Sequence, residues 1–344
     1  MGVKAMVEPR KSVLVMGGSG QAGAGTAALL RRWYPALPLT IAARDLGRAQ
    51  RVADELGAAT AVVVDLDRGD LGLPPGDGHS AVVAALWDRG LHGLGYAQRH
   101  GVPYLSISNG LVEIAPEVIA GAQRAHAAPI LLASHYFAGL VVLAALDSAK
   151  QFGSVDSIRV GTVLDETDAG GPAGMADLDR LAAVTTAGLI RRDGVFTWIA
   201  GADAQAEVRS ADGISVPGQS IAIPDVPSLG LATGASNVRV DFAVGESAGR
   251  RRGAQPSAEV RIEIEGLDPA GAPLRTERHL IHPEGQRPLT ALGVALGIER
   301  LIGLRGDPVA PGIHTPEAIL DPADAVERMR EIGTLVVDTR DGGS

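Results

Sequence analysis

Three glycines, Gly18, Gly20 and Gly23, stand in GxGxxG spacing within VLVMGGSGQAGAG, directly after an apolar run and directly before a helical pattern. Amides at the start of a helix lack intrahelical partners and carry partial positive charge, so a glycine loop there suits a dinucleotide's pyrophosphate. Each glycine has a part: Gly18 for the tight turn, Gly20 for backbone approach to the phosphates, Gly23 for close helix–sheet contact. Ser19, Gln21 and Ala22 complete the cradle. The same glycines would also serve a merely structural turn, and the motif gains its weight from the strand and helix patterns around it.

Further on, LTIAARDLGRAQ puts Arg44 just past the second apolar run and Arg48 one helical turn later. Two guanidiniums there would flank the 2′-phosphate of NADP. Asp45 between them keeps NAD open, and both arginines would also serve as solvated charges at a helix start. Asp65, in AVVVDLD, is placed either to meet an adenine edge or to cap a helix.

For the reaction itself, the fourth apolar run delivers Leu86, Trp87 and Asp88, the fifth Ser106, Ser108 and Asn109, and the sixth Ser134, His135 and Tyr136. Hydride transfer to a carbonyl or imine needs a proton donor, and His135 and Tyr136 are the catalytic candidates. Their competing account is a hydrogen-bonded junction histidine and a packing tyrosine. Trp87 either walls water from the hydride path beside the cofactor or packs in a core. Asp165 ends a strand-like segment, and Arg191 and Arg192 end an expected helix, MADLDRLAAVTTAGLIRR. With Ser108 they form the candidate substrate contacts, since arginine pairs grip carboxylates, although cations at a helix C-terminus also stabilise the helix itself.

Other chemistries find no support. His279 and His282 stand in a strand-like segment without a carboxylate pattern, and cysteine is absent, so no metal site is expected. There is no GxSxG elbow, and the glycine loop lacks the lysine of a P-loop.

These residues need a frame. Apolar runs at 12–16, 39–42, 61–64, 81–86, 104–107 and 130–133 alternate with helical patterns at 22–33, 46–56, 91–100 and 116–127. Strands apolar on both faces alternating with helices are the pattern of a parallel sheet covered on each side. After His135 the texture changes to alternation of apolar and polar residues, as in VDSIRVGTVLDE, SNVRVDFAV and AEVRIEIEGLD, with a last hairpin from RIEIEG through DPAGAP to RHLIH. The expected fold is α/β: a Rossmann-type doubly wound parallel sheet from residues 11–134 and 289–338, with an inserted, mainly antiparallel α+β domain at 135–288. The tail, VAPGIHTPEAILDPADAVERMREIG, is expected to pack back on the first domain, and residues 1–10 and 340–344 to be loose ends.

Size and charge agree with two globular domains: 344 residues, net charge −9, and no basic block. No apolar run reaches membrane-spanning length, and the stretch MGVKAMVEPRK has no apolar h-region. The expectation is a cytoplasmic protein that engages a small molecule, and neither nucleic acid nor membrane.

From VLVMGGSGQAG and IAARDLGRAQRVADELG to GLDPAGAPLRTERHLIHPEGQRPLTALGVALG and GIHTPEAILDP, the chain resembles the saccharopine dehydrogenase family, in particular its saccharopine reductase-like branch. The resemblance implies an NAD(P)-linked oxidoreductase whose inserted domain shapes the substrate pocket and mediates homodimer contacts. It supplies no substrate, and ASHYFAGL stands where the family typically carries a Gly-x-Asp-Pro-Gly-type turn. The reading is an NAD(P)H-dependent reductase of a small carbonyl or imine, amino-acid-derived or a biosynthetic intermediate. Its alternative is a non-catalytic dinucleotide-binding sensor or scaffold.

Overall fold

The computed structural model describes residues 11–76, 78–168, 176–177, 179–180 and 183–340. Six strands from the first part of the chain, β1 (Ser12–Met16), β2 (Leu39–Ala43), β3 (Ala59–Val63), β4 (His79–Ala84), β5 (Tyr104–Ser106) and β6 (Pro129–Leu132), are joined by a seventh from its far end, β15 (Gly312–His314). All pair in parallel, in the order β15-β6-β5-β4-β1-β2-β3. The chain reverses direction across the sheet between β1 and β4, and a crevice beyond the strands' carboxyl ends follows from that reversal. The strands read as unbroken apolar runs because helices cover both faces; β2 and β6 are buried at every position.

The second sheet has nine strands: β7 (Ser154–Asp165), β8 (Gly188–Arg192), β9 (Val195–Ile199), β10 (Gln205–Arg209), β11 (Ser215–Ser220), β12 (Asn237–Gly245), β13 (Ala258–Leu267), β14 (Pro273–His282) and β16 (Leu335–Arg340). Its ladders are antiparallel except β7 with β12, which run in parallel. Along β13 the alternation is clean: Val260, Ile262 and Ile264 are buried, while Arg261 and Glu263 on the opposite face pair with one another at 2.7 Å. The buried face packs on the helix Leu140–Ala149, which is apolar for most of its length.

The helix Arg287–Leu301 ties the two bodies together. It is buried at 11 of its 15 positions, so it carries no single apolar stripe. Leu289, Leu292 and Leu296 belong to the second domain's core, and Val294, Ala295 and Ile298 to the first's. Thr26 Oγ1, in the helix after the glycine loop, donates to the Ala291 carbonyl at 3.3 Å.

Two expectations are corrected. Residues Gly188–Arg192 form β8, not the end of a helix; the run TTAGLIRR carries β-branched residues and a glycine, and its last five residues pair with Val195–Ile199 instead. Part of that expected helix lies outside the described residues. Leu335–Arg340, which begins inside the stretch 289–338 expected in the first domain, pairs antiparallel with β14 and so belongs to the second sheet. The helix before it, Pro322–Glu331, likewise packs on Leu140–Ala149. Residues 1–10 and 341–344 lie outside the described residues. Among the described residues no helix is long and apolar enough to cross a membrane.

Candidate active site

At the end of β1 the chain enters the glycine loop. The left-handed backbone that the turn needs falls on Gly17, at φ 77°, one residue before the expected Gly18. A Cβ on Gly23 would stand 2.5 Å from the Gly17 carbonyl oxygen, which is the close helix–strand contact its position demands. Gly20 is the N-cap of the helix Gln21–Trp33; it offers no side-chain cap, and the first turn carries no acid. The first-turn amides, those of Gln21, Ala22 and Gly23, therefore meet no side-chain acceptor. Hydrogen bonds from Gly17 N and Gly18 N to the Ala42 carbonyl, and from Gly20 N to the Gly17 carbonyl, hold the loop in place. The residues fit a pyrophosphate.

Those bonds also set the loop against the end of β2, where Arg44 and Arg48 follow. Asp45 faces its own helix, accepting from Arg48 N at 3.0 Å as the N-cap of Leu46–Leu56. Both arginines are exposed, and neither guanidinium has a hydrogen-bond or ion-pair partner among the described residues. Asp65 is exposed and accepts from Asp67 N at 2.9 Å in an Asx-type turn; it caps no helix.

Across the loop lies the end of β4. Asp88 is buried and accepts from the amides of His92 (3.0 Å) and Gly93 (2.8 Å), anchoring the next helix. Burial pushes its carboxyl up while those amides oppose the shift. Trp87 belongs to no core: it is 40% exposed, with the Arg180 guanidinium 4.3 Å from its ring centre. Beyond β5, the Ser108 carbonyl accepts from Arg180, and Asn109 Nδ2 donates to the buried Glu117 at 2.6 Å.

His135 and Tyr136 mark the crossing into the second domain. His135 is 5% exposed, and its Nε2 lies 2.8 Å from Ser228 Oγ. Burial lowers its pKa to about 4, so the ring is neutral at pH 7. Nδ1 has no hydrogen-bond partner, and neither does the Tyr136 hydroxyl, whose ionisation burial pushes far up. The Tyr136 ring stacks on Phe137 at 4.0 Å and meets the edge of Phe242 at 4.7 Å. Asp225 accepts from Tyr136 N at 3.0 Å and is fully buried, its carboxyl raised to about 7 first by burial and then by the charge of Glu317. Glu317 follows β15 and accepts from Thr315 Oγ1 at 2.7 Å. The chain then turns through Phe137 (φ 50°), Ala138 (φ 53°) and Gly139 (φ 98°). Two consecutive left-handed non-glycine residues cost roughly 1–3 kcal/mol each, and such strain collects at functional sites and hinges.

No protein-family model matches the sequence, and no curated protein matches it. Among solved structures, apo saccharopine dehydrogenase (L-Glu forming) from Saccharomyces cerevisiae matches at a TM-score of 0.68 and 13% identity, covering 96% of this chain and 100% of that one. This chain has the saccharopine dehydrogenase fold. A myo-inositol dehydrogenase from Corynebacterium glutamicum (TM-score 0.47, 13% identity, 97% and 100% covered) and a dihydrodipicolinate reductase from Paenisporosarcina sp. TG-14 (0.44, 14%, 90% and 100%) are more distant.

Within the saccharopine dehydrogenase fold two of the expected substrate contacts, Asp165 and Arg191, are engaged elsewhere, and a third, Arg192, stands on a strand. Asp165 is 1% exposed and accepts from Thr167 N (2.9 Å), Thr167 Oγ1 (2.6 Å) and Ser247 N (2.8 Å), with Arg250 Nε at 3.2 Å. Burial alone would raise its carboxyl, but those donors outweigh it and hold it at about 2. It fastens the loop after β7. Arg191 donates to the carbonyls of Gly194 and Gly230, and Arg192 is an exposed end of β8. The helix end that would have gathered these two cations does not exist. Ser108 stands two residues beyond the end of β5. Glu113, Arg180, Asp225, Ser228 and Glu317 join the site without a sequence signal of their own, apart from Glu317 in the family-like GIHTPE.

Proposed function

We propose that this chain is an NAD(P)H-dependent oxidoreductase of the saccharopine dehydrogenase type, reducing a small carbonyl or imine. The observation that carries the reading is the glycine loop: its first-turn amides are uncapped, and it opens beside the partnerless Arg44 and Arg48 at the sheet's reversal. The first-turn amides of Gln21, Ala22 and Gly23 would hold the pyrophosphate, Arg44 and Arg48 a 2′-phosphate, and Asp65 and Trp87 would flank the cofactor's two ends; this favours NADP over NAD. When bound, the dinucleotide supplies the hydride. Tyr136 holds its proton at neutral pH and is the proton donor; His135, neutral and bonded to Ser228, positions that segment. The strained turn at Phe137 and Ala138 is the hinge by which the second domain uncovers both side chains.

Quaternary structure enters the same proposal. The β9 edge exposes Val195 (63%), Phe196 (38%) and Trp198 (51%), with Leu231 (72%) on the helix Asp225–Thr233. An uncharged edge strand of this kind supports a homodimer through the second domain. The cysteine-free sequence supports a cytoplasmic location. Calorimetric titration with NADPH and NADH, followed by NADPH consumption against keto acids with and without amines, tests the function. Absence of binding by either dinucleotide refutes it.

A further inference from the structure

Trp87, Ser108 and Glu113 come from the first domain, after β4, after β5 and just before the helix Ile114–Gln123. Asp177 and Arg180 come from the second domain's insert. They meet at one point. Arg180 donates through Nε to Glu113 Oε1 at 2.9 Å, through Nη1 to Asp177 Oδ1 at 2.5 Å and through Nη2 to the Ser108 carbonyl at 2.5 Å, while its Cζ lies over the Trp87 ring, 4.3 Å from the centre. The side chains of Arg180, Glu113 and Asp177 are 14%, 15% and 27% exposed, so the cluster is largely withdrawn from water.

Taken without Arg180, this is a receptor. Two carboxylates, a carbonyl and a half-exposed indole face converge on a volume the size of a guanidinium, and all four favour an organic cation. A carboxylate entering the same place would meet two like charges and an arginine already neutralised by them. The position is also right for a substrate: Gly17 of the glycine loop abuts Ala85 and Leu86, the two residues before Trp87.

We propose that this cluster is the subsite for a cationic group on the substrate, a protonated amine or guanidine, and that Arg180 occupies it as an internal stand-in. The proposal rests on the oxidoreductase reading for bringing a substrate to this crevice. It narrows that reading: the carbonyl or imine compound carries a basic group.

An internal occupant lowers apparent affinity by the fraction of time it fills the site. The full-length protein, with and without saturating NADPH, is titrated calorimetrically with butylguanidine, butylamine and glutarate. Wild type binds the two cations and not glutarate. Arg180→Ala binds butylguanidine at least tenfold more tightly, and adding Glu113→Gln or Trp87→Leu to that variant reverses the gain. Glutarate binding that Arg180→Ala abolishes would make Arg180 a carboxylate receptor and overturn the proposal, as would cation binding that Arg180→Ala leaves unchanged. Should Arg180→Ala not fold, the wild-type comparison decides: glutarate bound as well as butylguanidine, or neither bound, refutes it. Because the titrations are run without NADPH as well, failure to bind dinucleotide is read separately.

Discussion

Ser228 Oγ lies 2.8 Å from His135 Nε2, a hydrogen bond between residues 93 positions apart that fastens the second domain to the end of β6. One residue on, Asp225 accepts from Tyr136 N. A helix of one domain thus holds two successive residues of the other, and two titratable groups are shut into the joint.

Those groups predict opposed pH dependences. Asp225 is raised to about 7 from 3.8, so its stabilising contribution is complete below its unfolded value and is lost as pH rises to about 7. His135 is lowered to about 4 from 6.5, so its contribution is present above its unfolded value and is lost as pH falls toward 4. Asp225 is worth roughly 4 kcal/mol over its window and His135 roughly 3, and between pH 4 and 6.5 they largely offset one another. Asp225→Asn should leave a melting temperature that climbs from pH 4 to 6.5, and His135→Gln one that falls from pH 4 to 7. Identical profiles in both variants would refute the assignment.

The glycine loop separates affinity from stability. A Cβ at Gly20 meets only the Gly17 carbonyl oxygen, at 3.1 Å, and stands at the N-cap of the uncapped helix. Gly20→Val should weaken dinucleotide binding by about tenfold or more while the melting temperature moves little, because what it removes is one or two charge-assisted hydrogen bonds. Gly23→Ala, with its Cβ 2.5 Å from the same oxygen, should lower both affinity and melting temperature. Calorimetry alongside thermal melts checks the pair.

Cofactor choice is tested at Arg44. Its guanidinium and that of Arg48 have no partners to lose, so Arg44→Ala should leave stability alone and reduce the NADPH-over-NADH preference by about 1–3 kcal/mol. Equal wild-type affinity for the two dinucleotides would count against a 2′-phosphate site.

How much of this was legible in the sequence follows from range. The parallel sheet, the glycine loop and the hairpin Ala258–His282 announce themselves through local periodicity, and the structure has all three. The junction was half visible: His135 and Tyr136 stand at the end of an apolar run, but Asp225 and Ser228 sit in IPDVPSLG, which has no pattern of its own. Arg191 and Arg192 were misplaced because ADLDRLAAV has a helical rhythm that TTAGLIRR breaks only through β-branched residues and a glycine. Strand β16, LVVDTR, shows no apolar–polar alternation, and no local signal says which of two sheets takes it. Asp165 looked available because a carboxylate at a strand end is equally a loop fastener, and only its donors from Thr167 and Ser247 decide.

The exposed β9 edge predicts a dimer that a charge dissolves. Trp198→Lys places a charge on the strand's exposed face, 51% open in the single chain, and should shift the protein to a monomer in light scattering at micromolar concentration with its fold retained. A wild-type mass of about 35 kDa under the same conditions removes the dimer altogether.

Tyr136 carries the sharpest test, because its hydroxyl is a buried polar group without a partner. Such a group costs stability where it stands, so Tyr136→Phe should leave the melting temperature unchanged or raise it, the gain being about 1 kcal/mol. If the hydroxyl gives the proton, the same substitution lowers turnover by roughly 10²- to 10⁴-fold, with NADPH affinity intact, since general acid catalysis acts on the transition state and not on the cofactor. His135→Gln can still hydrogen-bond Ser228 and should retain more turnover than His135→Ala. The opposite movement of stability and rate in Tyr136→Phe is what a packing tyrosine cannot produce: phenylalanine keeps the ring stacked on Phe137 and against Phe242, so turnover would stay near wild type. Near-normal turnover in Tyr136→Phe, on any substrate that wild type reduces, places the proton donor elsewhere.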